Sequence, residues 1–171
     1  MSEPSNPRLF HLLHRTHQAL FRASDKMLGD TLGISTSQSA VLMFLKHADR
    51  AAMGDVAQAV GLTIASASGL IDRMEKKRLV ARQRSETDRR SIQLVLTENG
   101  KRVQSMAEPL VRDANATLIE RLGGDAKAEM FGNACTAIIE AADGLLAESA
   151  ADVPVSQTIA NQEKSLERIE T

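Results

Sequence analysis

Residues 53–70 read Met53-Gly54-Asp55-Val56-Ala57-Gln58-Ala59-Val60-Gly61-Leu62-Thr63-Ile64-Ala65-Ser66-Ala67-Ser68-Gly69-Leu70. Two short helices can cross closely only if the first presents a small side chain at the crossing, and Ala57 sits there. The chain must then turn sharply, which favours a residue tolerant of positive φ; Gly61 follows four positions later. The second helix needs inward apolar positions, and Leu62, Ala67 and Leu70 supply them. This is the spacing of a helix-turn-helix, whose second helix is free to enter a major groove. A short helical hairpin in any α-rich core would share part of the pattern, so the flanking sequence has to decide.

Downstream, the helical period gives way to a period of two. Leu79–Arg84 reads as extended, and Ile92, Leu94 and Leu96 alternate with Gln93 and Val95. Between them lies the polar stretch Ser85-Glu86-Thr87-Asp88-Arg89-Arg90, the tip of a two-stranded hairpin. The segment 73–90 carries Arg73, Lys76, Lys77, Arg78, Arg82, Arg84, Arg89 and Arg90 against only Glu75, Glu86 and Asp88. The chain as a whole has a formal net charge of −1, so its positive charge is local. A neutral protein with such a patch can still hold a phosphate backbone. A basic ribbon directly after the second helix reads as a wing lying along phosphates, with an arginine placed to enter the minor groove.

Upstream, residues 8–32 form an amphipathic helix with Leu9, Phe10, Leu12, Leu13, Leu20, Phe21, Met27 and Leu28 on one broad arc, ended by Gly33. Ser35 and Gln38 have capping-box spacing, which places the next helix from about Ser37 to His47–Asp49. After the wing, Thr97 caps a helix over 98–122, stopped by Gly123-Gly124. Asp125 caps a last helix over 126–148, with Met130, Phe131, Ala134, Ile138, Ala141, Leu145 and Leu146 on one face. The expected fold is therefore mainly α with a small two- or three-stranded β wing: a winged helix-turn-helix with long N- and C-terminal dimerisation helices. Residues 1–7 are expected to be disordered, 35–97 to form the DNA-binding lobe, 8–34 and 98–148 to supply the dimerisation helices, and 149–171 to be a flexible tail. The terminal helices have apolar arcs too broad for one small lobe to cover. One helix-turn-helix also reads few base pairs, so a homodimer on a palindrome is expected.

At Leu70-Ile71-Asp72-Arg73-Met74-Glu75, then Leu79-Val80, Asp88-Arg89-Arg90, Leu96-Thr97 and Gly100, the sequence resembles the MarR (multiple antibiotic resistance regulator) family, over about residues 8–148. The resemblance implies a two-fold dimer of six-helix winged-helix protomers that represses or activates transcription, often relieved by a small molecule or an oxidant. The chain departs from the family pattern twice. Arg78 stands where relatives usually carry Gly, which predicts a different cap at the end of the recognition helix. Gly69 stands where many carry Arg or another polar residue, and a mid-helix Gly costs about 1 kcal/mol relative to Ala.

The expected DNA contacts are Thr63, Ser66, Ser68 and Gly69 on the recognition helix, Arg73 and Lys76 at its end, and Arg84, Asp88, Arg89 and Arg90 on the wing. Thr63 reads first as a helix cap. Arg73 reads as a phosphate contact or as an ion pair with Asp72 or Glu75. One of Arg89 and Arg90 reaches DNA while the other pairs with Asp88. Relatives with an effector pocket build it between the dimer helices and the lobe, which brings His14 and His17 forward as pocket residues. His11, His14 and His17 do not share one helix face, so a hydrogen-bonded role outweighs a metal, and neither metal nor cofactor is expected. Cys135, the single cysteine, falls on the apolar side of the last helix and reads as packing.

No Gly-rich phosphate loop, HExxH or nucleophile elbow is present in the sequence, so no enzyme is expected. Neither a signal-peptide core nor the roughly 18-residue apolar run of a membrane span is found, which predicts a cytoplasmic protein. The function expected is a sequence-specific duplex-DNA regulator, acting as a repressor and open to a small-molecule effector. The competing reading is a winged-helix scaffold for protein partners, which would carry an uncharged wing.

Overall fold

The computed structural model describes residues 8–84 and 92–151. Its elements run α1 (Leu9–Leu32), α2 (Thr36–Ala48), β1 (Arg50–Ala52), α3 (Met53–Ala59), α4 (Ile64–Lys76), β2 (Val80–Arg84), β3 (Ile92–Leu96), α5 (Glu98–Leu122) and α6 (Asp125–Ala151). Two compact units divide the chain, residues 1–115 and 116–171.

Local chemistry sets most boundaries in the first unit. Gly33, at φ 64°, ends α1. Ser35 then caps α2 reciprocally: its Oγ accepts from Gln38 N at 3.2 Å, and Gln38 Oε1 accepts from Ser35 N at 3.1 Å. The helix starts at Thr36, one residue earlier than the cap spacing suggests. β1 has no counterpart among the elements expected from sequence. It exists through pairing: Arg50, Ala51 and Ala52 lie opposite Val95, Leu94 and Gln93 of β3, and β2 flanks β3 on its other side. The sheet is antiparallel, in the order β1-β3-β2.

The core gathers Leu28 from α1, Val41, Leu42 and Leu45 from α2, Val56 from α3, Leu70, Ile71 and Met74 from α4, Leu94 from β3 and Val103 from α5. Ala57 and Ala67 are buried at the helix crossing, and Leu62 packs against the core from the turn. The core is aliphatic throughout and holds the two short helices by shape as well as by apolar burial.

Gly100 fixes how α5 meets this lobe. A Cβ there would lie 1.9 Å from the carbonyl oxygen of Leu79. Thr97 N donates to that same oxygen at 3.1 Å, and Gly100 N donates to Thr97 Oγ1 at 3.0 Å. The spacing from Thr97 to Gly100 thus records a close backbone approach at the foot of the wing.

The second unit comprises the end of α5 and α6. Gly123 and Gly124 end α5 where the sequence placed the stop, and α6 begins at Asp125. Met130, Phe131, Ile138 and Ile139 of α6 are exposed. In the first unit α1 likewise exposes Leu9, Phe10, Leu12, Leu20 and Phe21, and Phe10 is 90% exposed. Among the described residues no single helix is long and apolar enough to cross a membrane.

Candidate nucleic-acid interface

The α3 and α4 axes bend by 100° across the break between them, within the range of helix-turn-helix pairs. Gly61 makes the turn at φ 65°, with its N–H on Gln58 O at 3.1 Å and Leu62 N on Ala57 O at 2.9 Å. Thr63 is the N-cap of α4: its Oγ1 accepts from Ser66 N at 3.2 Å and donates to Ser66 Oγ at 3.0 Å. The capping role expected of Thr63 is thus the one it performs here.

From that cap, α4 buries Ala67, Leu70, Ile71 and Met74. It exposes Ile64, Ala65, Ser66, Asp72, Arg73 and Lys76, while Ser68 and Gly69 are half-buried. The Arg73 guanidinium lies over Gly69, 3.7 Å from where a Cβ would stand.

The carboxylates of α4 are taken by a residue that the sequence pattern does not single out. Arg82, on β2, donates to Asp72 Oδ1 at 2.8 Å and to Glu75 Oε2, and its backbone N–H donates to Glu75 Oε1 at 3.2 Å. A planar guanidinium suits such a fork between two acids. Of the two roles open to Arg73, the ion pair with Asp72 or Glu75 is not formed. Asp72 and Glu75 bind Arg82, and among the described residues Arg73 and Lys76 form no ion pair. The cations of 73–84 therefore divide. Arg82 is neutralised and ties wing to helix, while Arg73 and Lys76 keep their charge toward solvent. Lys77 also turns back into its own lobe, donating to Gly33 O at 2.6 Å and Gln38 Oε1 at 3.1 Å.

The end of α4 corrects one expectation. Arg78 does not force a different cap: Arg78 N donates to Glu75 O at 2.8 Å and Leu79 N to Met74 O at 2.9 Å, the paired bonds of a Schellman motif. Arg78 itself takes the left-handed conformation, at φ 54°. Its carbonyl accepts from Thr97 Oγ1, and the preceding Lys77 carbonyl accepts from Asn99 Nδ2 at 3.2 Å. Bonds from the start of α5 thus hold a backbone shape that Gly would adopt freely.

Arg84 closes β2, exposed and opposite Ile92. Asp88, Arg89 and Arg90 lie outside the described residues, as do residues 1–7 and 152–171. His14 and His17 are exposed on α1, and the His17 ring stands 4.3 Å from that of Phe21, centroid to centroid. Cys135 on α6 is half-buried. Among the described residues no three His, Cys, Asp or Glu side chains converge as metal ligands.

Comparison with known proteins adds to this geometry. A model described as "MarR family" matches residues 32–91. An uncharacterized HTH-type transcriptional regulator of Bacillus subtilis, YfiV, is 40% identical over 72 residues, 42% of this chain and 45% of its own. The transcriptional activatory protein BadR of Rhodopseudomonas palustris is 32% identical over 109 residues, 61% of this chain and 62% of its own. Both matches thus span less than two thirds of the relative's length. Among solved structures, the transcriptional repressor CouR bound to a 23-mer DNA duplex superposes with a TM-score of 0.68 at 25% identity, covering 80% of this chain and 99% of that one.

Proposed function

We propose that this chain is a winged-helix transcriptional regulator of the MarR family, whose model matches residues 32–91, and that it binds duplex DNA sequence-specifically as a repressor. In this reading α4 enters the major groove, and one of Arg89 and Arg90 enters the adjacent minor groove from the wing. Thr63, Ser66, Ser68 and Gly69 face the groove, Arg73, Lys76 and Arg84 meet phosphates, and Asp88 steadies the wing tip. The observation that carries the reading is the division of charge beside α4. Arg82 satisfies both carboxylates, and Arg73 and Lys76 stay unpaired among the described residues on the same exposed helix. Unpaired cations beside a helix that can enter a groove suit a phosphate polymer.

The functional unit in this proposal is a homodimer. The exposed apolar side chains of α1 and of α6 are more than a lone soluble chain ordinarily leaves to water. A two-fold pair would present two copies of α4 to half-sites about 34–36 Å apart. The terminal helices, 8–34 and 98–148, form the dimer contact, and the lobe 35–97 meets DNA. His14 and His17 stand beside a pocket for a small-molecule effector that releases the operator, and the protein acts in the cytoplasm.

Selection of bound duplexes from a random pool tests the reading. A palindromic consensus is expected. Replacing Arg73 and Lys76 together by Ala should weaken binding to every duplex. It should also flatten the plot of log affinity against log salt, by about 0.9 for each phosphate no longer neutralised. A chain that enriches no sequence, with a salt slope unmoved by the double substitution, would instead favour the protein-binding scaffold.

A further inference from the structure

We infer that Ile64 reads the 5-methyl group of a thymine in each half-site, so that operator choice rests on an apolar contact at the tip of α4. This deepens the proposed DNA-binding function and rests on it.

Ile64 is the first residue of α4 and is 63% exposed. A branched apolar side chain at that place is left mostly uncovered by its own lobe, and Ala65 beside it is exposed as well. The polar side chains near it are single hydroxyls, and part of their bonding capacity is used within the helix cap. The Thr63 hydroxyl engages Ser66 with both a lone pair and its proton. Gly69 offers no side chain, and Ser68 is half-buried.

Residues 63–72 contain no Arg, Lys, Asn or Gln. Those four types make the two-pronged hydrogen bonds that identify guanine or adenine in the major groove. A helix tip without them can still distinguish one base strongly, because the thymine methyl is the one apolar group that the four natural bases present in that groove. Ile64 has the chemistry to cover it. The unpaired Arg73 and Lys76 farther along α4 favour a phosphate polymer over an apolar protein surface as the occupant of this face.

The test uses the full-length chain and the duplex it selects. Each thymine of one half-site is replaced in turn by deoxyuridine, which removes only the methyl. At one position per half-site the affinity should fall about fourfold, the equivalent of the ~0.8 kcal/mol for one buried methyl-sized group. The Ile64→Ala protein should bind the thymine and deoxyuridine duplexes alike while keeping its melting temperature, since the side chain is mostly in water. At the same position 5-methylcytosine paired with guanine should bind more tightly than cytosine paired with guanine, and Ile64→Ala should erase that preference too. Equal binding of thymine and deoxyuridine duplexes by a wild-type chain that does select an operator would overturn the inference and leave the DNA-binding function standing. Discrimination that persists in Ile64→Ala would overturn it as well. A chain that selects no duplex, or whose exposed Ile64 contacts a protein instead, would remove both.

Discussion

Helices α4 and α6 are built from similar apolar material and meet opposite fates. α4 buries Ala67, Leu70, Ile71 and Met74 in its own lobe and exposes Ile64 at its tip and the cations Arg73 and Lys76 toward its end. α6 leaves Met130, Phe131, Ile138 and Ile139 exposed, with Met130 at 71%. The difference separates two sources of order. The position of α4 is fixed inside one chain, by a core, a cap at Thr63, a clamp at Arg82 and a Schellman motif at Arg78. The apolar side chains of α6 have no such cover among the described residues, and on the proposed homodimer a second copy supplies it. Groove reading is then local to the lobe, and half-site spacing depends on assembly.

The most damaging change to the self-contained side of this contrast is Gly100→Ala. The added Cβ would stand 1.9 Å from a backbone oxygen, so α5 must move off the foot of the wing. Destabilisation of about 3 kcal/mol or more is expected by denaturant titration, at the upper end of overpacking costs. A change too small to resolve from wild type would show that this junction yields easily. On the other side, Ile138→Glu should leave the lobe folded but break the assembly. Sedimentation at micromolar protein should show monomers, and binding to a two-half-site duplex should fall by roughly tenfold or more, a difference of about 1.4 kcal/mol. Unchanged dimers with a charge at this exposed position would remove α6 from the proposed interface.

A smaller change should move stability and binding in opposite directions. Arg78 holds a left-handed backbone, which costs an L-residue about 1–2 kcal/mol and glycine almost nothing. Part of that gain is offset by the greater freedom of glycine in the unfolded chain. Arg78→Gly should therefore raise stability by up to about 1 kcal/mol, a few degrees in Tm. It also deletes a cation beside α4, so DNA affinity should fall at low salt and approach wild type as salt screens the arginine's attraction to phosphate. Lower stability would mean that the arginine side chain contributes packing beyond its backbone.

What could be read in advance follows the same division. Gly61, the Ser35–Gln38 box, the Thr63 cap and the Thr97–Gly100 spacing act within a few residues, and each stands in the structure where the sequence put it. β1 was hidden because three residues carry no useful periodicity, and its existence depends on Leu94 and its neighbours, far along the chain. The Arg82 clamp was hidden for another reason. Several cations in 73–84 could serve Asp72 and Glu75, and only the strand geometry of β2 chooses among them. Lys77 looks like one more cation in a basic run, yet it is bonded to Gly33 and Gln38, beyond the reach of local pattern. Asp88, Arg89 and Arg90, expected at the wing tip, lie outside the described residues.

The smallest expected effect concerns how α5 is fastened to α2. Lys46 Nζ donates to Glu108 Oε2 at 2.7 Å, and the buried Gln104 adds a bond from Nε2 at 3.2 Å. The hydrogen bond from Lys46, then that from Gln104, then the Lys46 charge hold the Glu108 carboxyl below its ordinary value of 4.5. A group whose pKa is lowered by folding stabilises the native state fully above its unfolded value, and that contribution disappears as pH falls through the folded value. Lys46→Met should therefore cost a little stability near neutral pH. The gap from wild type should close as acid protonates Glu108, and it should shrink with added salt, because both side chains are exposed to solvent. Urea midpoints for the two proteins across the acid range would measure it. A gap that failed to close in acid would mean that the charge pair does not hold α5 to the lobe.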